Sequence, residues 1–291
     1  MVSDAPDLFL GLVTHPTSTF NRDNRAGSML EQLVQELANQ GLTVDYLVSD
    51  RNGYSPEEFP VTRDSLIKSA IAQSKLERDW RDFVNRRSGI TRTKEAQSQG
   101  LYLAMRTKRT FAALGGKDSM AGKAYRRLIN IDLSHQRVLT EGINSGARGL
   151  VVLEDDALMP DKEMTQDLAR ILVMARDANI DFINLSQSIS APKLGIEGIL
   201  TRAKKIDVGR QFSVIELDTP ITNTVCANYY SNSFAKKFQQ HISRSNLVPV
   251  KPIDWRLNEM MLSNPDTCTW WVQPGIFIQG SMHTDLHRTE I

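Results

Sequence analysis

The chain has 291 residues, enough for one large α/β domain or two small ones, and its 41% hydrophobic and 24% charged content is that of a globular protein rather than a disordered or fibrous one. No apolar run approaches the roughly 18 to 20 residues that a membrane-spanning helix needs. The net charge of +1 hides an asymmetry: residues 63 to 127 carry sixteen Lys and Arg against six Asp and Glu, which leaves +10 there and −9 over the rest.

The acidic opening Met1-Val2-Ser3-Asp4-Ala5-Pro6-Asp7 lacks the apolar stretch of a secretion signal, so a cytoplasmic location is expected. Cys226 and Cys268, far apart in sequence, then read as two buried or idle thiols rather than a disulfide.

In chain order, the apolar run Leu8 to Thr14 predicts a buried first strand that ends in a polar loop at His15-Pro16. Helical spacing of Met29, Leu30, Leu33, Val34 and Leu37 predicts a helix over 27 to 40, stopped by Gly41, and Leu42 to Val48 is the next strand. Strands alternating with helices predict a largely parallel sheet covered on both faces. Residues 65–87 and 94–114 read as helices, the core of a basic helical insertion over 63–127, and a third helix spans 124–144.

Leu150-Val151-Val152-Leu153 is the strongest buried strand and runs directly into Glu154-Asp155-Asp156. Beyond it come a helix over 162–178, a strand over 180–185, and a stretch from 186 to 209 read as loop with one weak strand. Strands over 212–217 and 223–230, a helix over 233–243, and extended pieces at 270–272 and 276–278 complete the reading. Trp270 and Trp271 read as core before sugar platform. No repeat or low-complexity linker appears, so 1–291 reads as a single domain.

Three consecutive acids at the tip of an apolar strand are costly for folding alone, because like charges repel unless a cation offsets them. Hard oxygen ligands suit Mn²⁺ or Mg²⁺, which take remaining positions from water and phosphate. Strand ends of open α/β sheets are also where ligands bind. A solvated acidic turn is the bland alternative.

Leu133-Ser134-His135, a helix, and then Leu150 to Ala157 together resemble the hallmark of the family 25 glycosyltransferases, which include lipooligosaccharide and collagen galactosyltransferases. Asp181 to Leu185, Asn223 to Ser231, Pro252-Ile253-Asp254 and Val272-Gln273-Pro274 with Gln279 continue the resemblance, over about residues 125 to 283. The first strand departs from the family's pattern, with Thr14-His15-Pro16 in place of its usual signature, and the basic block is extra.

The resemblance implies a GT-A, Rossmann-like fold and an inverting transfer of sugar from a nucleotide donor, a uridine diphosphate sugar first among them, to a glycan or lipid-linked acceptor. It implies Glu154 and Asp156 as metal ligands, joined by His283 from the C-terminal segment, with Asp155 nearer the sugar or ribose. Thr14, His15, Arg22 and Arg25 fall in the loop region where such folds meet the nucleotide. Ser134 and His135, on the helix behind the metal strand, read as support for the metal ligands, and His135 equally as a hydrogen-bonded structural residue.

An inverting reaction also needs a carboxylate to take the acceptor proton. Asp254 is the candidate, with Glu259 as substitute; Asp254 reads equally well as the N-cap of a helix over Trp255 to Met261. The basic block, with Trp80, Phe83, Val84, Tyr102, Leu103 and Phe111 interleaved, reads as a docking face for an anionic membrane or acceptor, as a solvated surface, or as a clamp on nucleic acid, although no nucleic-acid motif accompanies it. The rival function is a catalytically silent nucleotide-sugar or polyanion-binding protein. A sugar nucleotidyltransferase needs a Gly-rich loop after the first strand, and Thr14 to Arg25 has no glycine. No Gly-x-x-x-x-Gly-Lys-Ser/Thr occurs, which excludes a P-loop NTPase.

Overall fold

A computed structural model of the protein describes residues 5–14, 25–49, 59, 61–87, 92–161, 163–187, 196–209, 211–217, 224–244, 251–264 and 266–280. The opening unit is β1 (Leu8–Val13), α1 (Arg25–Asn39) and β2 (Val44–Ser49), followed by three long helices, α2 (Arg63–Arg87), α3 (Arg92–Ala113) and α4 (Met120–Asn144). Then come β3 (Gly149–Glu154), β4 (Ala157–Leu158), α5 (Met164–Asp177), β5 (Phe182–Asn184), β6 (Ser186–Gln187), α6 (Glu197–Leu200), β7 (Lys204–Val208) and β8 (Phe212–Leu217). The last elements are β9 (Ala227–Ser231), α7 (Asn232–Arg244), α8 (Ile253–Leu262), β10 (Thr269–Gln273) and β11 (Phe277–Gln279).

Eight strands form one sheet in the order β2-β1-β3-β9-β5-β10-β8-β7, and β4-β11-β6 form a small second sheet. Six strands of the large sheet point one way, while β8 and β9 run against them, so the sheet is mixed. The stretch read as loop with one weak strand, from 186 to 209, contains β6, α6 and β7. Edge strand β7 carries Lys204, Lys205 and Asp207, charges that hide a strand from hydrophobicity yet suit an unpaired edge.

Alternation along the central strands divides the core. Leu10, Leu12, Val151, Leu153 and Ile183 pack with α1 and α5 through Leu30, Leu33, Leu37, Leu168 and Ile171. Phe9, Leu150, Val152, Phe182 and Tyr230 pack on the other face with α4, α7 and α8 through Val138, Leu139, Phe234, Phe238, Leu257 and Met261. Such packing is the main favourable term holding the layers together.

Two glycines let α4 lie flat on this second face. A methyl at Gly11 would overlap Val138, and one at Gly142 would overlap Leu150 and Phe9. His135, Val138 and Gly142 fall at i, i+3 and i+7, one stripe of the helix, so the same close approach sets His135 over the end of β3.

The basic block is less external than its composition suggests. Trp80 and Val84 of α2 are buried in a third core cluster with Ile215, Leu217 and Trp271, and Trp80 stands edge-on to Trp255 of α8 with ring centres 6.5 Å apart. Trp270 and Trp271 are core. Of the thiols, Cys226 is buried and Cys268 is exposed, and both are free.

Candidate functional site

Strand β3 ends between β1 and β9, and its last residue, Glu154, opens the acidic turn. Three backbone hydrogen bonds fix that turn. Glu154 N–H donates to the Cys226 carbonyl at 2.7 Å, Asp155 N–H to the Val13 carbonyl at 3.0 Å, and Gly280 N–H to the Asp156 carbonyl at 2.7 Å. The last of these, with Ala157 paired to Gln279, brings the C-terminal strand β11 against the acids.

Period-two alternation sends Glu154 to the same face as Leu150 and Val152, where α4 lies. There Glu154 Oε1 sits 3.3 Å from His135 Nε2. Asp155 accepts a hydrogen bond on Oδ2 from the Thr14 hydroxyl at 3.0 Å, which ties the turn to the end of β1. Asp156 is 7% exposed, a burial that carboxylates rarely reach without compensation.

The convergence of the acids is felt by a neighbour. Burial first, then the charges of Asp156, Glu154 and Asp155, push the Cys226 thiol well above its ordinary pKa. That thiol stays protonated and unreactive. Among the described residues, no group of three or more His, Cys, Asp and Glu side chains is arranged so that it could hold a metal ion.

Helix α8 supplies a fourth carboxyl. Pro252, not Asp254, is its N-cap, and Asp254 is the second helical residue. Its carboxylate accepts hydrogen bonds from the Trp255 N–H and its own, as an acid in a first turn does. Burial outweighs these bonds, and with the charges of Glu154 and Glu77 it pushes Asp254 up to about 6. Capping contacts and a raised pKa therefore coexist in one residue, with the charge of Glu154 among the causes of the shift.

Glu259 is arranged differently. It lies about 140° round the helix from Asp254. Lys251 Nζ meets its two oxygens at 2.7 and 2.8 Å, and His241 Nε2 is 3.6 Å away. His241 and Lys251 hold its carboxyl at about 2, against the opposing effect of burial. A carboxylate so held is a poor proton acceptor, so the structure does not bring Glu259 to the acidic turn as a base.

Ser134 is buried in α4 beside His135. His15, Arg22 and His283 lie outside the described residues, and Arg25 begins α1 with its side chain outside them. The sequence reading passed over Asn184 and Asn228, which face each other across β5 and β9 in the same row as Val152. Both are fully buried, and Asn184 Nδ2 and Asn228 Oδ1 have no hydrogen-bond partner among the described residues. Amides inside otherwise apolar strands were the available signal, since buried polar atoms are nearly always satisfied by protein, water or ligand.

No protein-family model matches this chain, and no curated protein matches it in sequence.

Proposed function

We propose that the chain is a metal-dependent glycosyltransferase of GT-A type, which moves a sugar from a nucleotide donor to a hydroxyl of a glycan or lipid-linked acceptor. The observation that carries the reading is the placement of Glu154, Asp155 and Asp156 at the tip of β3, with Glu154 3.3 Å from His135 and Asp155 bonded to Thr14. The donor set suits Mn²⁺ or Mg²⁺, since such ions bind one or two carboxylates and complete their shell from phosphate and water rather than from a closed protein cage. Glu154 and Asp156 would hold the ion, which when bound neutralises the diphosphate as a leaving group.

The protein's own groups do the rest. His135 orients Glu154, and Thr14 orients Asp155 toward the donor. Asp254, ionised above about pH 6, takes the acceptor hydroxyl's proton as that oxygen bonds to the anomeric carbon and the diphosphate departs.

The test is release of nucleoside diphosphate from a panel of nucleotide sugars with Mn²⁺ present. Turnover of one donor that Asp156→Ala abolishes supports the reading. Unchanged turnover in Asp156→Ala removes the metal assignment, and binding without turnover of any donor favours the catalytically silent alternative.

A further inference from the structure

The apolar residues of the basic block divide into two sets. Trp80 and Val84 are core, and Tyr102 lies under Arg78, whose guanidinium carbon is 4.9 Å from the ring centre. The outward set gathers where α3 turns into α4. Phe111 is 69% exposed, Leu114 44% and Met120 87%, with Leu103 further up α3 at 59%. Soluble proteins leave single apolar residues exposed without consequence, but three large ones within ten residues form a patch.

Geometry keeps them together. Phe111, in the last turn of α3, and Leu114, just past its end with its N–H bonded to the Thr110 carbonyl at 3.2 Å, are three residues apart. A tight turn follows, with Gly115 N–H bonded to the Ala112 carbonyl and Gly116 N–H to the Ala113 carbonyl, and Ser119 caps α4 by accepting from Gly122 N–H at 3.2 Å. Met120 is therefore the first residue of α4, and Lys123 and Arg127 follow it at i+3 and i+7 on the same face, both exposed.

The charge around this tip has one sign. From Ala96 to Arg127 there are seven basic residues (Arg106, Lys108, Arg109, Lys117, Lys123, Arg126, Arg127) and one acid, Asp118. Arg109 turns inward to Glu77 at 2.7 Å, while Lys108, Lys117, Lys123 and Arg127 are exposed.

We propose that the α3–α4 tip docks on an anionic lipid surface, with Phe111, Leu114 and Met120 entering the headgroup layer and Lys108, Lys117, Lys123 and Arg127 meeting lipid phosphates. Apolar anchors ringed by lysine are what such a surface recognises. A single-stranded nucleic acid is a weaker match, because base stacking needs exposed aromatic rings and Phe111 is the one such ring at the tip. The proposal stands apart from the glycosyltransferase reading, although a lipid-linked acceptor would then be met at the membrane.

Co-sedimentation of the full chain with phosphatidylglycerol-containing vesicles, against pure phosphatidylcholine vesicles, tests it. Binding is expected to the anionic vesicles alone and to weaken as salt is raised. Lys117→Gln and Lys123→Gln should each weaken it about fivefold. Phe111→Asp with Met120→Asp should reduce it further, while the melting curve of that exposed-site variant stays in place. Absence of binding to anionic vesicles, or binding indifferent to both pairs of substitutions, overturns the proposal. So does lipid-free self-association that Phe111→Asp abolishes, which would make the tip a dimer contact, or displacement from vesicles by single-stranded RNA at equal phosphate. Diphosphate release needs no vesicles, so failure here leaves that measurement standing.

Discussion

Asp254 is subject to opposed influences, and their balance gives it a testable sign. Burial and the charges of Glu154 and Glu77 raise its pKa from 3.8 to about 6, while two N–H groups of the helix start pull the other way. The native state thus binds this proton more tightly than the unfolded chain does. Its stabilising contribution is complete below about pH 4 and is lost as pH rises through 6. At pH 8 the ionised carboxyl is a burden of up to about 3 kcal/mol, from a difference of roughly two pKa units. Asp254→Asn is therefore expected to raise stability at pH 8 while reducing sugar transfer by about 10² to 10⁴. Chemical denaturation and a transfer assay check the two halves. A residue that served only as a helix cap would lose stability and leave the rate in proportion to folded protein.

At the scale of elements, a buried ion pair ties α8 to α4. Arg256 Nη1 bonds both oxygens of Asp132 on α4 at 2.8 and 2.9 Å, and Nη2 bonds the Ile242 carbonyl of α7 at 2.6 Å. Removing one partner leaves a buried charge uncompensated, so Asp132→Ala should lose about 3 to 5 kcal/mol in denaturant titration. A loss within about 0.5 kcal/mol, the range of an ordinary surface substitution, would contradict this role.

None of this tie was legible from sequence. Asp132 and Arg256 are 124 positions apart, and neither sits in a pattern that announces burial. By contrast, β1, α1, β3 and α5 were legible because long apolar runs or 3.6-residue spacing are local signals. Strand β9 was recognised as a strand, but its insertion against the direction of β3 and β5 is a property of the fold, not of its residues.

Across the whole molecule, the acidic turn was the readable part of the site because Leu150 to Leu153 run straight into it. His135 was readable only through a family resemblance, and its 3.3 Å approach to Glu154 depends on Gly11 and Gly142 admitting α4 to the sheet. The basic block misled by composition. Sixteen positive charges drew attention outward, while Trp80, Val84 and Glu77 face inward against α8 and the sheet. Among the described residues no helix is long and apolar enough to cross a membrane.

Thermal unfolding with nucleotide sugar and Mn²⁺, added singly and together, tests the central claim most directly. If the carboxylates of β3 join an ion to a diphosphate, one nucleotide sugar at about 100 times its dissociation constant should add roughly 2.7 kcal/mol, a shift of about 5 °C, only when Mn²⁺ is also present. That shift should vanish in Asp156→Ala. Stabilisation by the sugar nucleotide that ignores both the metal and Asp156, or no stabilisation by any donor in the panel, would contradict the account.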